Sequence, residues 1–250
     1  MPPPIDVAAG TANVIAMRQP LTIAVAQPPC VPYDIAVNAT THAGVIRSAA
    51  ARVVVFPELS LTGYELDAVP ITADDPRLMP IVRACAEAGS VALVGAPVAA
   101  ADGRRHLAVL AVGDGPVRVA YRKMCLGGSE PEHFTPGDTP AVLEVDGWRL
   151  GVALCKDTGD AGHTSRTVGS GIDAYVAGLV DTADWVTVQE DRARRITTAH
   201  RVWVAFASFA GPTGGEYAVT AARSRIWDPD GRVVADAGTA VGAVASATLR

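Results

Sequence analysis

Five short apolar runs constrain the fold more than anything else in this chain: LTIAVAQ (21–27), RVVVFP (52–57), SVALVGAPV (90–98), HLAVLAVG (106–113) and GVALC (151–155). Their hydrophobic residues are nearly continuous rather than alternating, so each predicts a strand covered on both faces or lying in a stacked pair of sheets. Helical stretches separate several of them. Asn38 is placed to cap a helix through ATTHAGVIRSAAA, with Val45, Ile46 and Ala49 on one side. A second helix is predicted from Pro76 through RLMPIVRACAEAG, with Gly89 as its stop. A third is predicted within EDRARRITTAHRVWVAF, where Ile196, Val202 and Val204 oppose a charged face.

Two turns announce hairpins: Asp146-Gly147 between VLEV and WRLGV, and DPDG between SRIW and RVVA. Strands interrupted by helices, with antiparallel hairpins added, predict mixed sheets covered by helices, an α/β layered fold. A chain of 250 residues, 49% hydrophobic, holds one sizeable core. With no linker, repeat or low-complexity segment, a single domain over 21–250 is expected, after a loose extension over 1–20. Met17 is a candidate alternative start within that extension.

Net charge is -5, and the densest basic cluster, Asp191 to Arg195, contains its own acid, which argues against nucleic acid or an anionic membrane as partner. No stretch reaches the roughly 18 uncharged apolar residues of a membrane helix. The N-terminus lacks the basic and apolar regions of a secretory signal. Cys30, Cys85, Cys125 and Cys155 are widely spaced, so reduced thiols in a cytoplasmic protein are expected. The five histidines show no ligand spacing, and neither metal nor organic cofactor is implied.

Chemistry concentrates at strand ends. Cys155 closes the apolar run RLGVALC and is followed by the polar KDTGD. Glu58 follows VVVFP, and Lys123 follows VRVAYR. Each has a plainer reading: a buried inert thiol, a turn-capping carboxylate, a solvated amine. Together they supply a nucleophile, a proton acceptor and an oxyanion partner for attack on an electrophilic carbon. Glu130 and Glu132, in GGSEPEHFTPG, read as loop charges when taken alone. Cys30, Cys85 and Cys125 are left as structural residues, Cys85 on a helix face.

These stretches, in this order, resemble the nitrilase, or carbon–nitrogen hydrolase, superfamily. IAVAQ is similar to the family's first strand, VVFPELSLTGYE to its glutamate motif, VGAPV followed by VAYRKMCL to its lysine motif, EPEHFTPGD to its auxiliary-glutamate loop, GWRLGVALCKD to its cysteine motif, and SRIWDPDGRVVADAG to its C-terminal hairpin. The resemblance implies an αββα sandwich of two mixed β-sheets flanked by helices, and a Glu58–Lys123–Cys155 triad. It also implies Glu130 as auxiliary carboxylate, with Glu132 as the fallback, and Lys156 (through its backbone N–H) and Tyr64 as oxyanion or substrate contacts. A homodimer or larger homo-oligomer is implied as well. The chain departs from the family's pattern in three places. Cys125 stands where histidine is common, CKDTGDAGHTSR lacks the usual Pro–Glu, and FASFAG, with Ser208, replaces a late asparagine.

The expected reaction is cysteine-dependent hydrolysis of an amide or carbamoyl group of a small metabolite through a thioester, releasing ammonia. Nitrile hydrolysis is disfavoured because Lys156–Asp157 replaces the Trp–Glu of the nitrile branch. Acyl transfer by the same triad, and a non-catalytic binding module, are the remaining readings. Asp157 and Asp160 are read as turn caps. His163 and His200 are the ingredients of a rival Cys–His dyad and are assigned instead to structure or substrate contact. GSGIDA (169–174) matches a dinucleotide fingerprint by letter only, because it does not lead from a strand into a helix.

Overall fold

The computed structural model describes residues 18–113 and 115–250. Most of the expected N-terminal extension, including Met17, therefore lies outside the described residues. Its last three residues lie against the body of the protein: the Arg18 guanidinium stacks 3.4 Å from the Trp148 ring centroid, and the Trp148 indole donates to the Gln19 carbonyl.

The elements follow in the order β1 (Leu21–Ala26), α1 (Ile35–Ala49), β2 (Val53–Val55), α2 (Met79–Ala88), β3 (Val91–Ala99), β4 (Arg105–Val112) and β5 (Arg118–Arg122). Next come the short α3 (Glu130–His133), β6 (Ala141–Val145), β7 (Trp148–Leu154), α4 (Ala161–Gly169), β8 (Ala174–Leu179) and α5 (Val186–His200). The chain closes with β9 (Trp203–Ser208), β10 (Arg225–Trp227), β11 (Val233–Asp236) and β12 (Val244–Leu249). The strands form two six-stranded sheets, ordered β12-β1-β2-β3-β4-β5 and β11-β10-β9-β8-β7-β6.

Each sheet has three parallel strands at its centre, β1-β2-β3 and β7-β8-β9, with antiparallel strands outside them. Parallel neighbours need crossovers, and α1, α2, α4 and α5 provide them. The result is the αββα sandwich, with apolar residues in three layers. Val25, Val55, Leu107, Leu150, Val152 and Ile226 fill the space between the sheets. Ile35, Ile46, Ile81 and Leu110 pack beneath α1 and α2. Tyr175, Ile196, Phe206 and Trp227 pack on the opposite side of the second sheet. This explains the doubly apolar runs: one strand face meets the other sheet and the other meets helices. Both predicted hairpins are present as β6–β7 and β10–β11.

Two helix boundaries differ from the sequence reading. Asp34, not Asn38, caps α1, its carboxylate accepting from the Val37 amide. Asn38 is buried inside the helix, where its side chain bonds Val31 and the Leu61 carbonyl. The third helix stops at His200, with Arg201 left-handed at φ 56°. Val204 therefore belongs to β9 and Val202 to the link before it, because Trp203–Ser208 gains more from pairing in parallel with β8 than from extending an amphipathic helix.

Candidate active site

The candidate residues stand at C-terminal ends of strands from both sheets. Glu58 comes three residues after β2, Lys123 immediately after β5, and Cys155 immediately after β7. Facing sheets thus bring side chains nearly 100 residues apart to one rim, the usual place for a site in such folds.

The Glu58 turn is clamped between the sheets by two glycines. A Cβ on Gly95 of β3 would lie 2.4 Å from the Leu59 nitrogen, and one on Gly178 of β8 would lie 2.7 Å from the Phe56 carbonyl oxygen. Only a bare backbone allows this approach. From the helix side, His42 reaches the Ser60 hydroxyl at 2.9 Å, and the Asn38 amide donates to the Leu61 carbonyl. His42 stacks on Phe56 and burial lowers its pKa to about 4, so it braces the turn as a neutral ring.

Lys123 is 1% exposed, and its Nζ donates to Glu58 Oε1 and Glu130 Oε1, each at 2.7 Å. Glu130 also accepts from the Tyr64 hydroxyl at 2.6 Å and from the Gly127 amide at 2.8 Å. Glu132 is exposed and takes no part. Glu58 Oε2 is buried without a partner. Burial raises the Glu58 pKa to about 8, with Lys123 opposing and Glu130 adding to the rise. Burial acts to lower the Lys123 pKa, but the negative charges around it win and hold it above its usual range.

Cys155 sits at φ 32°, a left-handed conformation for a residue with a Cβ, at the junction between β7 and a 3₁₀ turn over Cys155–Gly159. Such backbone costs about 1–3 kcal/mol and persists where its surroundings enforce it. Asp157 enforces it here: its carboxylate accepts from the Leu154 amide (3.0 Å), the Cys125 amide (2.8 Å) and the Tyr121 hydroxyl (2.7 Å). Asp157 thus caps the Cys155 turn, as expected, and also ties it to the loop after Lys123. Asp160 caps α4 through the His163 amide. The Cys155 thiol donates to the Val180 carbonyl at 3.5 Å. Burial raises its pKa well above the usual value, Asp181 and Glu58 add to this, and Lys123 opposes it.

A cleft of about 540 Å³ opens over Lys123 and Cys155, its wall including Tyr64, Glu130, Asp181 and Tyr217, with Glu58 fully buried behind Lys123. Tyr64 lines it with its ring edge-on to Tyr217, but its hydroxyl hydrogen goes to Glu130. Lys156 lies at the rim, with Nζ bound to the Leu126 carbonyl at 2.6 Å. His163 is buried between the Tyr121 and Tyr175 hydroxyls, which occupy both ring nitrogens. A Cys–His dyad therefore has no geometric basis at that residue, and His200 ends α5 in an exposed position. GSGIDA leads from α4 into β8, helix to strand, the reverse of a dinucleotide-binding turn.

Residues 22–250 match the profile of the carbon-nitrogen hydrolase family. The chain belongs to the carbon–nitrogen hydrolase family. It is 29% identical over 227 residues to a hydrolase in the pqqF 5' region of Pseudomonas protegens, a match spanning 87% of this chain and 79% of that one. It is 33% identical over 125 residues to the hydrolase Rv0480c of Mycobacterium tuberculosis, spanning 46% of this chain and 45% of that one. An amidase from Nesterenkonia sp. AN1 has the same fold, with TM-score 0.82 at 20% identity over 92% of this chain and 93% of that one. Saccharomyces cerevisiae Nit3, of the nitrilase superfamily, superposes with TM-score 0.81 at 19% identity over 92% and 90%.

One residue of this carbon–nitrogen hydrolase went unread in the sequence. Asp181 follows the buried strand β8 and walls the cleft beside Cys155. It is 6% exposed, and burial raises its pKa to about 7 against the opposing influence of Gln189, Arg192 and Lys123. The signal was available, since AYVAGLVD is another apolar run ending in a carboxylate, the pattern that marked Glu58.

Proposed function

We propose that the protein is a cysteine-dependent amidase that hydrolyses a small amide or carbamoyl compound through a thioester, using Glu58, Lys123 and Cys155, with Glu130 in support. The observation that carries this reading is the asymmetry of the Glu58 carboxylate, with one oxygen on Lys123 and the other buried and unpartnered. The unpartnered oxygen is the proton acceptor. Because the resting thiol is held protonated, attack and proton transfer occur together: the S–C bond forms, the S–H proton passes to Glu58, and the carbonyl electron pair moves to oxygen.

Lys123 and the Lys156 backbone N–H stabilise that oxyanion, each such donor contributing about 3–4 kcal/mol. The oxyanion collapses, the C–N bond breaks, and the leaving nitrogen takes the proton from Glu58 to depart as ammonia. Water then adds to the thioester carbon and gives its proton to Glu58. The C–S bond breaks, the acid leaves, and the sulfur recovers its proton. Glu130, fixed by Tyr64 and Gly127, holds Lys123 in place throughout.

The Nesterenkonia amidase supports the reading: its variants are described with acrylamide added to the active-site cysteine and in complex with butyramide. Small aliphatic amides are therefore the first substrates to test. Intact-mass spectrometry of the protein with a panel of amides should reveal an acyl adduct that is lost in Cys155→Ser, and ammonia release should vanish with it. Undiminished ammonia release by Cys155→Ser would end the proposal. We further propose a homodimer. It is supported by Val233, Val234 and Val241, which are 41%, 46% and 51% exposed near the C-terminal hairpin, and light scattering on the purified protein tests it.

A further inference from the structure

The cleft wall includes a residue that the proposed chemistry does not use. Tyr217 comes from the loop between β9 and β10, and its ring meets that of Tyr64 edge-on, with centroids 4.8 Å apart. The turn that carries it is fastened to the segment that carries Tyr64. The Tyr64 amide donates to the Thr213 carbonyl at 2.8 Å, the Gly215 amide to Glu65 Oε1 at 3.0 Å, and the Tyr217 amide to the Gly214 carbonyl at 3.1 Å. Glycines let the two backbones touch: a side chain on Gly63 would strike the Thr213 carbonyl, and one on Gly215 the Tyr64 carbonyl. Tyr217 is therefore held in one place over the cleft.

The surface presented there is apolar. The Tyr64 hydroxyl is committed to Glu130, which leaves its ring for the cleft. Burial, with neighbours that include Cys155, raises the Tyr217 pKa, so Tyr217 faces the cleft as a neutral phenol. Leu66 and Trp185 line the same space, and Trp185, just ahead of α5, is 46% exposed. Charge sets no other direction. Lys156 Nζ is held by the Leu126 carbonyl, the Arg192 guanidinium lies 5.5 Å from the Trp185 ring centroid, and Asp181 and Glu216 share the wall.

Volume decides what fills this space. Pockets of roughly 300–1,000 Å³ suit ligands well above the size of a simple aliphatic amide, and this cleft has about 540 Å³. In the proposed reaction the nitrogen departs as ammonia and carries no substituent, so only the acyl part of the substrate can occupy the cleft. Three aromatic rings and a leucine favour a flat apolar group, because rings gain from edge-on and offset packing beyond the area they bury. Resting on the amidase reading, we propose that the substrate is a primary amide whose acyl group carries an aromatic ring, seated on Tyr64 and Tyr217, and that Tyr217 is the specificity-determining residue.

The test compares kcat/KM for phenylacetamide, butyramide and the anionic succinamic acid. Phenylacetamide should be preferred to butyramide by about tenfold or more, the scale of apolar discrimination in a pocket, with succinamic acid below both. Tyr217→Ala should lower the preference for phenylacetamide about tenfold, and Tyr217→Phe, which keeps the ring, should retain it. A ratio taken within one variant does not depend on how much of that variant is folded. A wild-type preference for butyramide or succinamic acid, or a ratio that Tyr217→Ala leaves unmoved, would overturn the proposal. Binding separates it from the reading on which it rests. In Cys155→Ala, which lacks the nucleophile, calorimetry should show phenylacetamide bound about tenfold more tightly than butyramide, the advantage disappearing when Tyr217→Ala is added. If no amide is turned over while this preference holds, the amidase reading fails and the aromatic subsite stands. Equal binding of the two amides sinks the subsite even where turnover is intact.

Discussion

Lys123 is a buried cation between two carboxylates: Glu58 takes its side-chain hydrogen bond from it, and Glu130 is held by Tyr64 and Gly127 as well. Replacing it with methionine keeps the volume but leaves Glu58 and Glu130 facing one another without a counter-charge. Breaking a buried pair in this way costs about 3–5 kcal/mol, so Lys123→Met should lose stability as well as turnover, read by denaturant titration and ammonia release. The same cluster sets the pH dependence. In the proposed mechanism Glu58 is ionised when it accepts the thiol proton, and its pKa is raised to about 8, so kcat/KM should climb as pH rises through that region. The apparent value belongs to the whole cluster. Glu130 adds to the rise, and therefore Glu130→Gln should move the midpoint to lower pH even as the rate falls. Asp181 gives a stability signature of opposite use. Its folded pKa is raised to about 7, so the folded protein keeps a proton that the unfolded chain has released from about pH 4 upward. Stability is therefore lost with rising pH across that window, and the melting-temperature advantage of Asp181→Asn should widen from pH 4 to pH 7 and then level off.

At the scale of elements, the two glycines flanking the Glu58 turn separate catalysis from folding. In Gly95→Ala the new methyl would meet the Leu59 nitrogen and the Pro57 carbonyl, and in Gly178→Ala the Phe56 carbonyl and the Glu58 nitrogen. The atoms met are backbone, so the strands or the turn must shift, at a cost of at least about 1–3 kcal/mol. The backbone displaced carries Glu58, so ammonia release per folded molecule, with the folded fraction read by circular dichroism, should fall tenfold or more in each variant. A variant with full activity would show that the clamp is unnecessary.

The same scale shows why some elements were legible in the sequence and others were not. Cys155 and Glu58 stood out because each closes an apolar run, a local signal, whereas Lys123, after VRVAYR, reads as an ordinary solvated lysine until it is set beside the other two and the family's lysine motif. The hairpin at Asp146-Gly147 stood out too, since positive φ at both residues is written into the turn. The boundary between α5 and β9 was hidden because Arg201 and Val202 extend the helical pattern by letter, and only pairing with β8 decides the matter. The Tyr64 role was hidden for a related reason: its hydroxyl is consumed by Glu130, 66 residues away.

Across the whole molecule, the site is a property of the contact between sheets rather than of either sheet. Glu58 and Lys123 hang from the first, Cys155 and Asp181 from the second, and their separation is set by the apolar layer between. Leu150 lies in that layer and Ile46 lies under the outer helices; both are fully buried. Truncation of either to alanine costs about 2–5 kcal/mol, so both variants should melt at similarly reduced temperatures. Their effects on chemistry should diverge. The space left by Leu150→Ala is on the strand that ends in Cys155, so relaxation there moves the sulfur relative to Glu58. Relaxation around Ile46→Ala is taken up between α1 and its sheet, away from the rim. At a temperature where both are fully folded, Leu150→Ala should lose specific activity severalfold and Ile46→Ala should retain it. Equal losses would mean that the alignment of nucleophile and base depends on overall stability and not on the layer that spaces the sheets.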